Sequence, residues 1–167
     1  MKSHKLRFEG MNIITHHLKL NSSLEVLDLS CNQICFQACK YLSDYLSQTK
    51  SLKSLNISSN HIHDPGAKVL TSGISENKSL IHLDMTNNNI GEDGLVRLAE
   101  GFMFNSDICY LKLFWDNFFG PQSIAMFKKV LDGRKDLMAD FTIYSDVKKE
   151  LNIAHIDINI PEEFLLI

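Results

Sequence analysis

The sequence predicts an α/β solenoid, a right-handed curved arc with parallel strands on its concave face and helices on its convex face. Three observations predict it. The segment SLEVLDLSCNQI returns as SLKSLNISSNHI and then as SLIHLDMTNNNI. Successive units open at a constant interval, at Leu24, Leu52, Leu80 and Ile108. Apolar residues also recur from unit to unit in the second half of each repeat, which indicates stacked amphipathic helices.

The first part of each unit is a short strand. Its inward positions read Leu27, Leu55, Leu83 and Leu111, and then Leu29, Ile57, Met85 and Leu113. Side chains alternate between the two faces of a strand, so the residues beside these apolar positions point away from the core. They are expected to form the exposed concave face, which consists of Val26, Asp28, Ser30, Ser54, Asn56, Ser58, His82, Asp84, Thr86, Tyr110, Lys112 and Phe114.

An asparagine column follows the strands. Asn32, Asn60 and Asn88 occupy the same position in three units, and Asn117 joins them if one residue is inserted before it. The column lies where the chain leaves the strand. A side-chain amide there can satisfy backbone groups of the turn that would otherwise be buried without a partner. The column is therefore predicted to be structural.

The second part of each unit is a helix. One of its apolar columns reads Ile14, Leu42, Leu70, Leu98 and Phe127. Asp64 is expected to cap its own helix with Pro65 at the first helical position, and Glu92 and Asp93 favour a helix N-terminus. A short strand and one helix cannot bury their apolar faces alone, so each unit depends on its neighbours.

Over residues 4–136 these motifs resemble the ribonuclease-inhibitor-like class of leucine-rich repeat proteins, whose units of about 28–29 residues contain a full helix. The end of the chain is similar to the last repeat and tail of an intracellular member of the class that has nuclear or nucleolar links to ribosome production. The likeness rests on Trp115, Asn117 and Phe119, on the Gly133 and Arg134 pair, and on residues 140–146. Some members of the class accelerate GTP hydrolysis by a small GTPase.

Three regions are predicted. Residues 1–22 form a truncated N-terminal repeat that consists only of its helix. Residues 23–136 form four repeats of about 28–29 residues, and residues 137–167 form a C-terminal cap and tail. In the cap, Asp140 and Thr142 are expected to replace the inward leucines of a fading strand. Ile156, Ile158 and Ile160 are expected to alternate along a half-buried strand that ends at Pro161. The final EEFLLI either packs on the last helix or is left loose.

Composition excludes several classes of function. The net charge is −3, and the lysines and arginines are scattered, so no basic stripe is available for direct binding of nucleic acid. Neither a signal peptide nor an apolar run of about 18 residues is present, so no membrane partner is expected. The predicted location is intracellular, in the cytoplasm or the nucleus or both, and the four cysteines are expected to be reduced.

No catalytic or metal site is predicted. Cys31, Cys35 and Cys39 are spaced by four but fall on a strand exit, a turn and a helix, so they do not share a face. His61 and His63 flank an inward Ile62 in a surface turn. The chain contains no GxSxG, GxxxxGK[ST] or HExxH motif. Neither an enzymatic activity nor a cofactor is expected.

The sequence therefore predicts a non-catalytic protein–protein interaction scaffold that binds a partner on its concave face. Asp28 and Asp84 favour a partner with a basic segment. Tyr110, Phe114 and Trp115 either anchor that partner or cover the last repeat against the tail. A nuclear or nucleolar factor that supports ribosome production and a regulator of a small GTPase are the alternatives that the resemblance implies. The open strand edge at residues 24–29 also predicts self-association.

Overall fold

Helices and strands alternate along most of the chain in the computed structural model of the protein, which describes residues 5–145 and 150–161. The elements, in order, are α1 (Arg7–Leu18), β1 (Val26–Asp28), α2 (Cys39–Leu46), β2 (Ser54–Asn56), α3 (His63–Glu76), β3 (His82–Asp84), α4 (Glu92–Phe104), β4 (Tyr110–Lys112), α5 (Pro121–Gly133), β5 (Met138–Ala139), β6 (Phe141–Ser145) and β7 (Leu151–His155). The predictions for residues 1–4, Asp146 and residues 162–167 lie outside the described residues.

The first five strands form one parallel sheet in chain order, from β1 to β5. Their register follows the repeat, because Leu27 pairs with Leu55, Leu55 with Leu83, Leu83 with Leu111 and Leu111 with Ala139. Each helix packs against the next helix in the chain, from α1 to α5. The predicted α/β solenoid is confirmed.

The core lies between the sheet and the layer of helices. The inward strand positions from Leu27 to Leu113 are buried, and so are the helix positions Leu42, Leu70, Leu98 and Phe127. Ile14 on α1 is only half-buried, since α1 packs on α2 alone among the helices. Side chains from at least two repeats fill each layer of the core, which is why no single repeat could fold alone.

Asn60 shows how the asparagine column joins successive turns. Its side-chain oxygen accepts hydrogen bonds from the backbone N–H groups of Asn32 and Ile34 in the preceding repeat, both at 3.0 Å. Its Nδ2 donates to the carbonyl of Leu29 in that repeat at 3.1 Å and to the carbonyl of Ile57 in its own repeat at 2.9 Å. One side chain thus satisfies backbone groups of two turns.

The other members of the column are also buried. Asn88 donates to the carbonyl of Met85 at 3.0 Å. Asn117 accepts from the N–H of Ile90 at 3.0 Å and donates to the carbonyl of Met85 at 3.1 Å, so it too reaches into the preceding repeat. Asn32 is the first member in the chain. The amides therefore link neighbouring turns along the sheet.

An extra residue precedes Asn117. Asn88 donates to Met85, three residues before it, whereas Asn117 donates to Leu113, four residues before it, at 2.8 Å. The longer turn includes Asp116, which adopts a positive φ of 49°. The amide still reaches the same carbonyl in the strand despite the additional residue.

A second buried asparagine column lies where the helices end, and the sequence analysis missed it. Asn77 and Asn105 each accept hydrogen bonds from the backbone N–H groups two and three residues ahead. Asn77 donates to the carbonyl of Leu46 at 2.7 Å, and Asn105 donates to the carbonyl of Ile74 at 2.8 Å. The signal for this column was that both asparagines occupy the same position in successive repeats.

Arg134 takes over this role after the last helix. Its guanidinium donates to the carbonyls of Asn105, Ser106 and Ile108, at 3.1 Å for Ser106 and 2.8 Å for Ile108. Asp136 pairs with the same guanidinium at 2.5 Å. Arg134 therefore ends the column at the C-terminal end of the repeats. Its guanidinium takes the place of the asparagine amide that a following repeat would supply.

Acidic side chains link the helix N-termini, but in a different way from the prediction. Asp64 does not cap α3, which begins at His63 and has no side-chain cap. Its Oδ1 instead accepts from the N–H of Gly91, at the start of α4, at 2.5 Å. Glu92 in turn accepts from the N–H of Gln122 in α5 at 2.6 Å. Each carboxylate thus meets the positive end of the following helix.

The C-terminal cap differs from the prediction in two respects. Ala139 and Phe141, not Asp140 and Thr142, continue the inward leucine positions. The reason is that β5 pairs with β4 at the same sequence separation as the earlier strands, although the preceding repeat has one residue more. The predicted strand through Ile156, Ile158 and Ile160 is wrong. The strand is β7, which pairs antiparallel with β6 and ends at His155.

Replacing Asn60 with Ala should lower the free energy of unfolding by about 1–3 kcal/mol, because buried backbone groups of two turns lose their partner. Urea unfolding followed by circular dichroism measures the change. Asn12→Ala is the matched control, since Asn12 is exposed on α1. Equal stability of the two variants would contradict the structural role of the column.

Gly73→Ala should also destabilise the fold, by about 1–3 kcal/mol. A Cβ at Gly73 would meet the backbone of Ser43 on α2, with the Cα of Ser43 at 2.8 Å, whereas a Cβ at Gly133 would meet nothing within 4 Å. We therefore expect Gly133→Ala to leave the thermal unfolding midpoint unchanged or slightly higher. A similar loss in both variants would show that close helix packing at Gly73 is not the cause.

Candidate binding surface

The concave face consists of three rows of side chains that cross the parallel strands. The first row is Val26, Ser54, His82 and Tyr110, the second is Asp28, Asn56, Asp84 and Lys112, and the third is Ser30, Ser58, Thr86 and Phe114. Strand pairing fixes the first two rows in register. The third row follows each strand at the point where the chain turns away.

Three of these residues are not exposed as expected, since Ser30, Ser54 and His82 are buried. The Oγ of Ser54 lies 2.9 Å from Nδ1 of His82, within hydrogen-bonding distance. The two side chains are neighbours on adjacent strands, where the spacing is about 4.8 Å, so a short hydroxyl is covered by the ring beside it. The accessible part of the first row is therefore Val26 and Tyr110, which are half-buried.

Side chains of the second row accept hydrogen bonds from the backbone where the strands end. Asp28 accepts from the N–H of Ser30 at 2.7 Å, and Asp84 accepts from the N–H of Thr86 at 3.0 Å. Asn56 does the same toward the N–H two residues ahead, at 2.9 Å. Each of these side chains remains half-exposed. One oxygen of each aspartate thus holds the local turn, while the side chain stays partly exposed.

The aromatic end of the face packs partly against the tail. The Phe114 ring lies 5.6 Å from that of His155 on β7 and 6.4 Å from that of Phe119. The Trp115 ring lies 4.8 Å from the same histidine in a tilted arrangement, yet 56% of its surface stays exposed. Both alternatives from the sequence therefore have a counterpart, because Phe114 is covered by the tail and Trp115 remains accessible.

A polar recess of about 240 Å³ lies where the tail crosses this end of the sheet. The sheet side contributes Asp84, Thr86, Lys112 and Asp140, and the tail side contributes His155, Ile156, Asp157 and Ile158, with Trp115 beside them. The repeat pattern does not predict that the tail residues lie on the concave face. The tail reaches this place by turning back over the sheet after the repeats have ended.

Asp140 is the most buried acid of the recess. Its Oδ1 accepts from the backbone N–H groups of Leu113 at 2.8 Å and Phe114 at 3.1 Å. Burial raises the pKa of its carboxyl, and the charge of Asp84 adds to the rise, whereas the two hydrogen bonds and His155 oppose it. Asp140 therefore extends the second row beyond Lys112 as a structural acid.

Comparison with known proteins agrees with this geometry. Residues 20–34, 49–70 and 76–99 match a family profile described as Leucine Rich repeat. The fold is a leucine-rich repeat solenoid. A similar solved structure is "Leiomodin-1 Actin-Binding Site 2 (ABS2)", which shares 16% sequence identity over 75% of this chain and 74% of its own, with a TM-score of 0.63. No curated protein matches the chain.

The cysteines of the leucine-rich repeats have different surroundings. Cys31 is exposed, Cys35 and Cys109 are partly exposed and Cys39 is buried in the core. Burial raises the pKa of the Cys39 thiol to about 12, and the neighbouring Cys35 adds to the rise. In residues 5–145 and 150–161, no three histidine, cysteine, aspartate or glutamate side chains are placed to hold a metal ion. None of the described helices is long and apolar enough to cross a membrane.

Two substitutions separate the charge of Asp140 from its hydrogen bonds. Asp140→Asn keeps an oxygen acceptor for Leu113 and Phe114, so we expect equal or greater stability than wild type at neutral pH. Asp140→Ala leaves two buried N–H groups without their acceptor and should lower the free energy of unfolding by about 1–3 kcal/mol.

The pH dependence of the Asp140→Asn comparison has a defined sign. Because the pKa of the Asp140 carboxyl is raised in the folded protein, folding disfavours the ionised form. The wild type should therefore lose stability relative to Asp140→Asn as the pH rises from about 4 to about 7. Thermal melts across this range measure the difference, and Asp44→Asn is the control, since Asp44 is exposed on α2. A difference that narrows with rising pH would contradict the assignment.

Proposed function

We propose that the protein is a non-catalytic scaffold that holds a partner protein on its concave face, and that the partner presents a basic segment. The observation that carries the proposal is the second row, in which strand register aligns Asp28, Asn56, Asp84 and Lys112 as half-exposed polar side chains. The row lies on a sheet whose turns are held by buried asparagine amides. Such a surface needs little ordering when a partner binds.

The fold supports a protein partner. Leucine-rich repeat solenoids stack their units into an extended inner surface, which is the surface these proteins use for binding. The similar solved structure is named as an actin-binding site, so a related arrangement serves protein binding in that molecule. Membership of the ribonuclease-inhibitor-like class is part of this proposal and is supported by the helix that each repeating unit contains.

Charge favours a basic partner. Asp28 and Asp84 are partly exposed members of the second row, and Asp157 is exposed beside the recess. Lys112 is the basic member of the second row. A lysine-rich or arginine-rich segment lying along the row would meet carboxylates at both ends of the face, at a spacing set by the strands.

The remaining alternatives have less support. A role in ribosome production in the nucleus or nucleolus is one alternative, together with a location in the nucleus or cytoplasm. This alternative rests on the similarity of the tail to that of leucine-rich repeat-containing protein 34, and no curated match supports that similarity. Regulation of a small GTPase rests on the class alone. Self-association through the edge of the sheet at β1 also stays a prediction.

Binding of a labelled octalysine peptide, followed by fluorescence anisotropy at low ionic strength, tests the proposal. We expect the double variant Asp28→Asn, Asp84→Asn to weaken binding by about two- to fivefold per site, since each exposed charge pair contributes modestly. Asparagine keeps the acceptor for Ser30 and Thr86, so the turns should stay intact.

Asp44→Asn, at an exposed position of α2, is the matched control and should bind the peptide as the wild type does. Added salt should weaken wild-type binding, because the interacting charges are exposed. Equal affinities for the wild type and the double variant would refute a basic partner on the second row.

A further inference from the structure

The tail crosses the part of the concave face that offers the largest side chains. Residues 155–158, here called the strap, line the recess opposite Asp84, Thr86 and Lys112. Asp84 lies in β3 and Lys112 in β4, and Thr86 follows β3. A partner that lies along the whole second row would meet the strap before it reached Lys112.

The contacts described for the strap come from His155 and Ile156. The His155 ring makes tilted contacts with the rings of Trp115 at 4.8 Å and Phe114 at 5.6 Å, and the N–H of Ile156 donates to the carbonyl of Asp140 at 3.0 Å. The Ile156 side chain is 40% exposed, and Asp157 is exposed as well. Among the described residues, the strap is thus held by the His155 ring, one backbone hydrogen bond and the partly buried side chain of Ile158.

The segments on both sides of the strap are held more firmly. Phe141, at the start of the hairpin, is buried among Phe119 and Phe127, with ring centroids at 5.2 and 5.3 Å. Ile160, after the strap, is buried again. Loss of the His155 ring contacts would therefore free residues 156–158, while β7 stays paired with β6 up to His155.

We propose that the strap is an internal lid, which covers the C-terminal end of the concave face in the free protein and opens without unfolding of the repeats. When the strap is closed, it borders the recess that Lys112 and Asp84 line from the side of the sheet. When it opens, the second row is accessible along its length. For a ligand that binds only the open form, the apparent Kd equals the intrinsic Kd divided by the fraction of molecules in which the lid is open.

The lid itself is argued from contacts within the chain, whereas its effect on a partner rests on the proposed function. Two measurements on the full chain test the lid without any ligand. The first is amide hydrogen exchange at low denaturant concentrations, comparing Ile156 with Met85, whose N–H donates to the carbonyl of Lys112 at 2.9 Å within the sheet. The second is the rate at which an acylating reagent modifies Lys112, measured by mass spectrometry.

In the wild type, the Ile156 amide should exchange faster than that of Met85 and without dependence on low denaturant, which marks a local opening. His155→Ala should raise exchange at Ile156 by about threefold or more, because two ring contacts are lost, and should leave Met85 unchanged. Acylation of Lys112 should rise by a similar factor, while that of exposed Lys50 stays constant. Asn159→Ala, an exposed neighbour of the strap, is the control and should change neither rate.

Two results would overturn the lid. One is exchange of Ile156 with the same rate and denaturant dependence as Met85, which would make the strap a fixed part of the cap. The other is unchanged acylation of Lys112 in His155→Ala, which would show that the strap does not cover the face. Failure of octalysine to bind every variant would instead count against the proposed partner chemistry, and the two rates would still decide whether the lid exists.

Discussion

The structure depends on a requirement that arises at every strand exit. Each turn that leads from strand to helix lies against the next turn, where water cannot satisfy its backbone groups. A buried asparagine amide, with both donors and acceptors, meets this requirement for two turns at once. The asparagine amides therefore link each turn to its neighbour, and the strand register is kept even where one extra residue precedes Asn117. The core leucines supply most of the burial, but they do not by themselves fix which carbonyl meets which amide.

The repeating elements could be predicted because their physical causes repeat in the sequence. Inward leucines, helix columns and the first asparagine column each recur with the same period, so one unit checks another. A comparison of equivalent positions does not predict interactions between different positions of neighbouring units. Local capping rules predict that Asp64 caps its own helix because they consider only nearby residues, whereas its partner is the N-terminus of the next helix.

The binding surface could be predicted in position but not in exposure. Alternation along the strands identifies which residues lie on the concave face, yet it does not show that His82 covers Ser54. The position of the tail could not be predicted, because the repeat does not continue after the last helix. There the register of β5 is set by pairing with β4, and the place of His155 is set by the ring of Trp115, which lies far earlier in the chain. The recess therefore contains Ile156 and Ile158, whose alternation along the chain predicts a strand but not a place on the concave face.

The links between neighbouring repeats run in opposite directions along the chain. Asn60 and Asn88 complete the turns of the repeat before them, whereas Asp64 and Glu92 complete the helix starts of the repeat after them. An interior repeat thus supplies hydrogen-bond partners to both neighbouring repeats and receives partners from both. In the language of a one-dimensional chain of coupled units, the interface terms outweigh the intrinsic stability of each unit. Such an array has a long correlation length, so the interior repeats should gain or lose their structure together, and fraying at one end should carry a cost throughout the arc.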